Sequence, residues 1–145
     1  MSGPVTLTLR RDIAASAEHV FDAWLDPVEA ARFLFATPEG EMIRAEIDPR
    51  VGGNFLFIDR RAEGDAEHHG CYVEIDRPRR LAFLFRGPGT AEDEWSRVSV
   101  ELAPLSGGCA LTLTHEIPAK WADYAAPVRS GWTMILDSLA RILES

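Results

Sequence analysis

The sequence predicts an α+β fold, a curved antiparallel sheet of seven strands around one long C-terminal helix, in the order β-α-α-β-β-β-β-β-β-α. Three observations lead there. Residues 5–13 and six later stretches alternate apolar and polar side chains, the period of a half-buried strand. Turns rich in Gly, Pro and charge separate the last six stretches, which makes successive strands antiparallel neighbours. The final segment instead repeats apolar residues every three or four positions, a wide stripe that has to be buried. A sheet of this length curls, and the concave face is where that helix belongs.

Val5, Leu7, Leu9, Arg11 and Ile13 lie on one side of the first strand, with Arg11 interrupting an apolar row. Ser16 can cap a helix whose apolar positions are Val20, Phe21, Trp24 and Leu25. Asp26-Pro27 ends it and starts a second, short helix, with Asp26 as N-cap, Pro27 in the first turn and Glu29 completing a capping box. That helix is expected to end near Leu34 or Phe35. Strands follow at Met42–Ile47 and Asn54–Arg60, joined by "DPRVGG". "RRAEGDAEHHG" reads as a polar hairpin loop, and strands resume at Cys71–Ile75 and Leu81–Arg86 around "DRPRR". After "GPGTAEDE" come Trp95–Leu102, the turn "PLSGG" and Ala110–Glu116. In the closing helix Val128, Trp132, Ile135, Leu136, Leu139, Ile142 and Leu143 form the apolar stripe and Pro127 sits in the first turn. Gly131 interrupts it, which close approach to the sheet would explain.

The chain has 145 residues, enough for one domain over 1–145 with a sizeable core. No stretch has the length of uninterrupted apolar sequence that a membrane helix needs. "MSGPVTLTLRRD" enters a strand pattern at once and lacks the apolar core of a signal peptide, so cytoplasm is the expected location. A net charge of −8 argues against nucleic acid and anionic membranes as partners. Cys71 and Cys109 have neither a CxxC spacing nor a disulfide framework, and read as buried reduced thiols.

"GG-x-F-x-F" (Gly52, Gly53, Phe55, Phe57), "G-x-Y-x-E-I" (Gly70, Tyr72, Glu74, Ile75), "RLAF" (Arg80–Phe83) and "L-x-L-T-H" (Leu111–His115) occur in this order, followed by "GW…LDSLARIL" in the last helix. These residues resemble the Hsp90-ATPase-activator-homologue-like (AHSA1-type) family of the START/Bet v 1-like (SRPBCC) superfamily. The resemblance covers nearly the whole chain. It implies a helix-grip fold with a cavity between sheet and long helix. Its superfamily hosts carriers, cyclases, sensors and hydrolases on one scaffold, so it implies no fixed activity.

Strand parity places Leu7, Leu9, Phe55, Phe57, Leu81, Phe83, Phe85, Val98, Val100, Leu111 and Leu113 on the inner face. For "GCYVEI" parity alone is ambiguous, and the family pattern turns Tyr72 and Glu74 inward. Arg11, Glu74 and His115 are then the polar exceptions, each costly to bury unless satisfied. Apolar walls with a few convergent polar groups describe a ligand pocket. The expected ligand-binding residues are Arg11, Phe55, Phe57, Tyr72, Glu74, Phe83, Phe85, His115, Trp132 and Leu136. The competing arrangement is a filled core in which Arg11 pairs with Glu74 and His115 bonds a backbone carbonyl.

His115 beside Glu74 would make a general base with an orienting carboxylate, but no nucleophile accompanies them, and no catalytic residue is assigned. His68 and His69, with Asp65 and Glu67, lack the spacing of a metal site and read as a solvated hairpin tip, so no metal is expected. His19 reads as exposed on the first helix. "GPGT" and Gly107-Gly108 are turns outside any phosphate-loop context, and no cofactor is expected. Glu92–Glu94 reads as a solvated run near the cavity rim. Trp95 and Trp121 are rim or core. Three functions follow. The first is binding of a small hydrophobic or aromatic molecule. The second is a protein-interaction module of co-chaperone type, for which Hsp90 itself is a doubtful partner because a second chaperone-binding domain is missing. The third is a cyclase- or hydrolase-type enzyme using His115. Exposed edge strands leave a homodimer open.

Overall fold

The computed structural model describes residues 3–88, 90 and 94–144. Gly89 of the "GPGT" turn and Glu92 and Asp93 of the acidic run lie outside these. The strands are β1 (Val5–Ile13), β2 (Glu41–Ile47), β3 (Asn54–Arg61), β4 (Gly64–Asp76), β5 (Arg80–Arg86), β6 (Ser96–Leu105) and β7 (Gly108–Ile117). They form one antiparallel sheet in the order β1-β7-β6-β5-β4-β3-β2. The meander from β2 to β7 follows its short turns, and β1 joins the far edge by pairing with β7, Leu7 opposite His115. The helices are α1 (Ala17–Leu25), α2 (Pro27–Ala30), a 3₁₀ turn (Ala119–Tyr124) and α3 (Ala125–Glu144). None among the described residues is long and apolar enough to cross a membrane.

Local chemistry explains the helix boundaries. Ser16 Oγ accepts the His19 N–H at 3.1 Å and starts α1. Asp26 accepts from Val28 N at 2.9 Å and more weakly from Glu29 N at 3.4 Å. The expected capping box is only half built. The Asp26 N–H is already bonded to Asp22 O at the end of α1, so Glu29 has no free donor to reach back to. His19 is exposed, as read from the sequence.

α3 lies against β1 and buries Trp132, Ile135, Leu136, Leu139 and Ala140. Arg11 pairs with Asp137 at 3.2 Å, Arg129 donates to Thr8 O at 3.4 Å, and Glu144 accepts from Ala14 N at 3.0 Å. Beneath the helix, Phe55, Phe57, Phe83, Tyr72, Leu81, Val98, Val100, Leu111 and Leu113 close the inner face of the sheet. Phe55 needs its partner across the ladder to be Gly70, because a Cβ there would lie 1.9 Å from the Phe55 ring. Cys109 is buried and Cys71 half-buried, both free thiols.

Three expectations are corrected. The polar stretch "RRAEGDAEHHG" is not a loop: Arg61 pairs with Gly64, the turn is only Ala62-Glu63, and β4 runs through both histidines. His68 is therefore buried rather than at a solvated tip, while His69 faces the other side and meets Glu67 at 3.1 Å. Glu74 is turned away from the interior. The β4–β5 register shifts between Tyr72, opposite Phe83, and Glu74, opposite Ala82, so a bulge reverses the alternation that would have brought Glu74 inward. Gly131 is not in close contact with the sheet, since a Cβ there would meet nothing within 4 Å.

Candidate functional site

At one end of the sheet α3 stands away from the strands and leaves a cavity of about 550 Å³. Its walls come from Phe35–Thr37 after α2, Arg61 of β3, His68 of β4, Phe85 of β5, Ser96 of β6, and His115 and Ile117 of β7. Trp121 and Tyr124 of the 3₁₀ turn and Val128, Gly131, Trp132, Met134 and Ile135 of α3 complete it. Gly87, Pro88, Thr90, Glu94 and Pro118 form part of the rim side.

Of the ten residues expected to hold a ligand, the structure brings Phe85, His115 and Trp132 to this cavity. Phe55, Phe57, Tyr72, Phe83 and Leu136 are buried in the packed core and do not line it. Arg11 and Glu74 are elsewhere and do not meet each other. Arg11 pairs with Asp137 at the edge of α3, and Glu74 accepts from Arg80 Nε at 2.8 Å in a half-exposed pair. Trp121 lines the cavity, whereas Trp95 lies under the Arg86 guanidinium, 5.4 Å from its ring centre, beside a smaller cleft.

His115 is 4% exposed and hydrogen-bonded through both nitrogens. Trp132 Nε1 donates to Nδ1 at 3.0 Å, and Nε2 lies 2.7 Å from Ser96 Oγ. An indole N–H can only donate, so Nδ1 must be the unprotonated nitrogen and the ring proton sits on Nε2, donating to Ser96. Ser96 Oγ passes the chain on to Phe85 O at 3.3 Å. Burial pushes the His115 pKa down to about 4, which keeps the imidazole neutral and matches the tautomer that Trp132 demands. The carbonyl partner considered from the sequence is reached only through Ser96.

The sequence reading missed Phe35 and His68. Phe35 has φ of 63°, left-handed backbone that a bulky residue rarely adopts. Its ring stacks 4.3 Å from His68 and 5.1 Å from Phe85, both within 9° of parallel, and Arg61 donates to its carbonyl at 3.4 Å. These contacts hold the strained residue in place. Arg61 is itself fixed by Asp59, which is fully buried and accepts from Arg61 Nε at 2.9 Å and from Thr37 Oγ1 at 2.7 Å. His68 is 5% exposed, and its Nδ1 has no hydrogen-bond partner. Burial first, and then the Arg61 charge, push its pKa down to about 4 against the opposing pull of the Phe57 and Ala66 carbonyls and Asp59. At the rim Glu94 forms an ion pair with Lys120. Among the described residues no cluster of His, Cys, Asp or Glu could hold a metal ion.

The comparisons agree with this architecture. The family described as Activator of Hsp90 ATPase homolog 1-like protein matches residues 14–144. A protein of Chromobacterium violaceum is 27% identical with a TM-score of 0.85, covering 97% of each chain. The AHSA1-like protein of Aeromonas hydrophila is 25% identical with a TM-score of 0.82, over 97% of this chain and 92% of its own. A protein of Rhizobium loti is 26% identical with a TM-score of 0.80, over 95% and 96%. No curated protein matches. With the helix-grip architecture and a family match over nearly its full length, the chain belongs to the Activator of Hsp90 ATPase homolog 1-like (AHSA1) family of START/Bet v 1-like proteins.

Proposed function

We propose that the protein binds a small apolar, aromatic molecule in the cavity between sheet and α3. One observation carries this reading: a space of about 550 Å³ walled largely by Phe35, Phe85, Trp132, Val128, Ile135 and Met134, in a molecule whose remaining inner face is closed by packed side chains. That volume is within the range of small-molecule sites, and aromatic rings on several sides suit a flat ligand. Native mass spectrometry of the freshly purified protein, before and after denaturation, tests it. An added mass that leaves on unfolding supports the reading. A bare protein that also takes up none of a set of aromatic compounds at saturating concentration contradicts it.

The family description favours a second reading, a co-chaperone-like interaction module. A pull-down with the host Hsp90 that recovers the chain would support it, and an empty one removes it. A reaction using His115 as general base is not proposed, because both its nitrogens are held in the Trp132–His115–Ser96 chain.

A further inference from the structure

We infer that the ligand is an uncharged aromatic molecule bearing a hydroxyl group, and that the imidazole of His68 hydrogen-bonds that hydroxyl. The inference rests on the cavity being a ligand site, as proposed above.

Two histidines line the cavity at nearly equal depth, 4% and 5% exposed, and their hydrogen bonding differs. His115 is satisfied at both nitrogens by protein groups. His68 is stacked on Phe35 and makes no well-formed hydrogen bond. Its Nδ1 is covered by protein with the Phe57 and Ala66 carbonyls nearby, which leaves Nε2 as the nitrogen that a molecule in the cavity can reach. A buried polar group without a partner is unfavourable, and native proteins rarely leave one without a reason. Stacking fixes the plane of the His68 ring, so an arriving group meets it at a defined edge. Neutral imidazole offers one donor and one acceptor, and a hydroxyl is likewise both.

The charges around the cavity favour an uncharged head group. Among the described residues, the two charged ones that line it each have a counter-ion, Arg61 with Asp59 at 2.9 Å and Glu94 with Lys120. An anion would have to compete with Asp59 for Arg61, and a cation would meet Arg61 next to His68. The aromatic part follows from Phe35, Phe85 and Trp132, whose rings lie 5.1 to 6.3 Å from one another.

The test compares naphthol with methylnaphthalene and naphthoate, identical in ring and substituent position, by NMR titration of the wild-type protein and of His68→Phe. The Phe ring keeps the stack on Phe35 and removes both nitrogens. Naphthol is expected to bind about tenfold tighter than methylnaphthalene, as expected of a site that hydrogen-bonds a hydroxyl. His68→Phe, with folding verified by thermal melting, is expected to reduce that ratio to within about twofold. In the wild-type protein the imidazole ¹⁵N resonances of His68 should move on saturation with naphthol and not with methylnaphthalene, an arm that does not depend on the variant folding. Equal binding of the two neutral probes, a preference that survives His68→Phe, unmoved His68 resonances, or naphthoate as the tightest probe would each overturn the inference while leaving the cavity reading intact. Binding of no probe at all would overturn both.

Discussion

Trp132 fixes the tautomer of the neutral His115 ring through a single hydrogen bond. Because the indole donates to Nδ1, a second proton on that nitrogen would face an N–H at 3.0 Å. Trp132→Phe removes the donor and leaves Nδ1 unpaired, so it is expected to cost about 1–3 kcal/mol in stability. The His115 pKa should rise from about 4 in the same variant, because the bond that favours the neutral ring is gone. Chemical denaturation and an NMR titration of the imidazole check the two effects. A His115 pKa unchanged or lower in the variant would contradict the assignment. Phe35 gives a second residue-level test. Replacing its ring by Ala or Gly loses the same stacking, but only Gly adopts φ of 63° freely. Phe35→Gly should therefore be more stable than Phe35→Ala by ~1 kcal/mol, the reverse of the usual glycine penalty. Equal stability, or Ala ahead of Gly, would mean that the left-handed backbone is not strained.

Elements were legible wherever side-chain periodicity carries the signal. Six strands, the second half of β4, both caps and the long helix follow from alternation, Ser16 and Asp26, and the three-to-four spacing after Pro127. The first half of β4 was not, because its inward row is Ala66, His68 and Gly70, which has no large apolar residue to mark a buried face. Glu74 was misplaced for a different reason. The family pattern turned Tyr72 and Glu74 to the same face, and the bulge between them, which leaves no mark in the composition, breaks that alternation. Phe35 carries no pattern either, since nothing in an apolar run signals left-handed backbone. Gly70, by contrast, was visible as a motif residue before its cause was: it makes room for the Phe55 ring. Gly70→Ala is expected to destabilise by about 1–3 kcal/mol through overpacking. Combined with Phe55→Leu, the loss should be smaller than the sum of the two single losses, measured by denaturant unfolding. Strict additivity would show that the two side chains do not compete for one space.

At the scale of the whole molecule, two neutral buried imidazoles make stability depend on pH. His68 and His115 have pKa values near 4 when folded and about 6.5 as unfolded references. Between those values the unfolded chain binds more protons, so stability rises with pH across the window. Their full effect favours folding above pH 6.5 and is lost progressively as pH falls to 4, on the order of 3 kcal/mol per imidazole at the lower end. Thermal midpoints measured from pH 7 to pH 4 should decline, and the decline should shrink in His68→Phe. A flat profile would mean that these rings are charged or exposed in the folded protein.

The cavity is also a property of the whole molecule, since five strands, the segment after α2 and α3 all border it. Gly131 offers the most direct test of its role, because a side chain there enters open space instead of the sheet. Gly131→Ala should raise stability by about 1 kcal/mol through helix propensity alone. Gly131→Phe should place a ring in the cavity and weaken naphthol binding at least about tenfold, with thermal stability retained. Naphthol bound with wild-type affinity by a folded Gly131→Phe protein would contradict the account, because the ligand would then have to sit elsewhere.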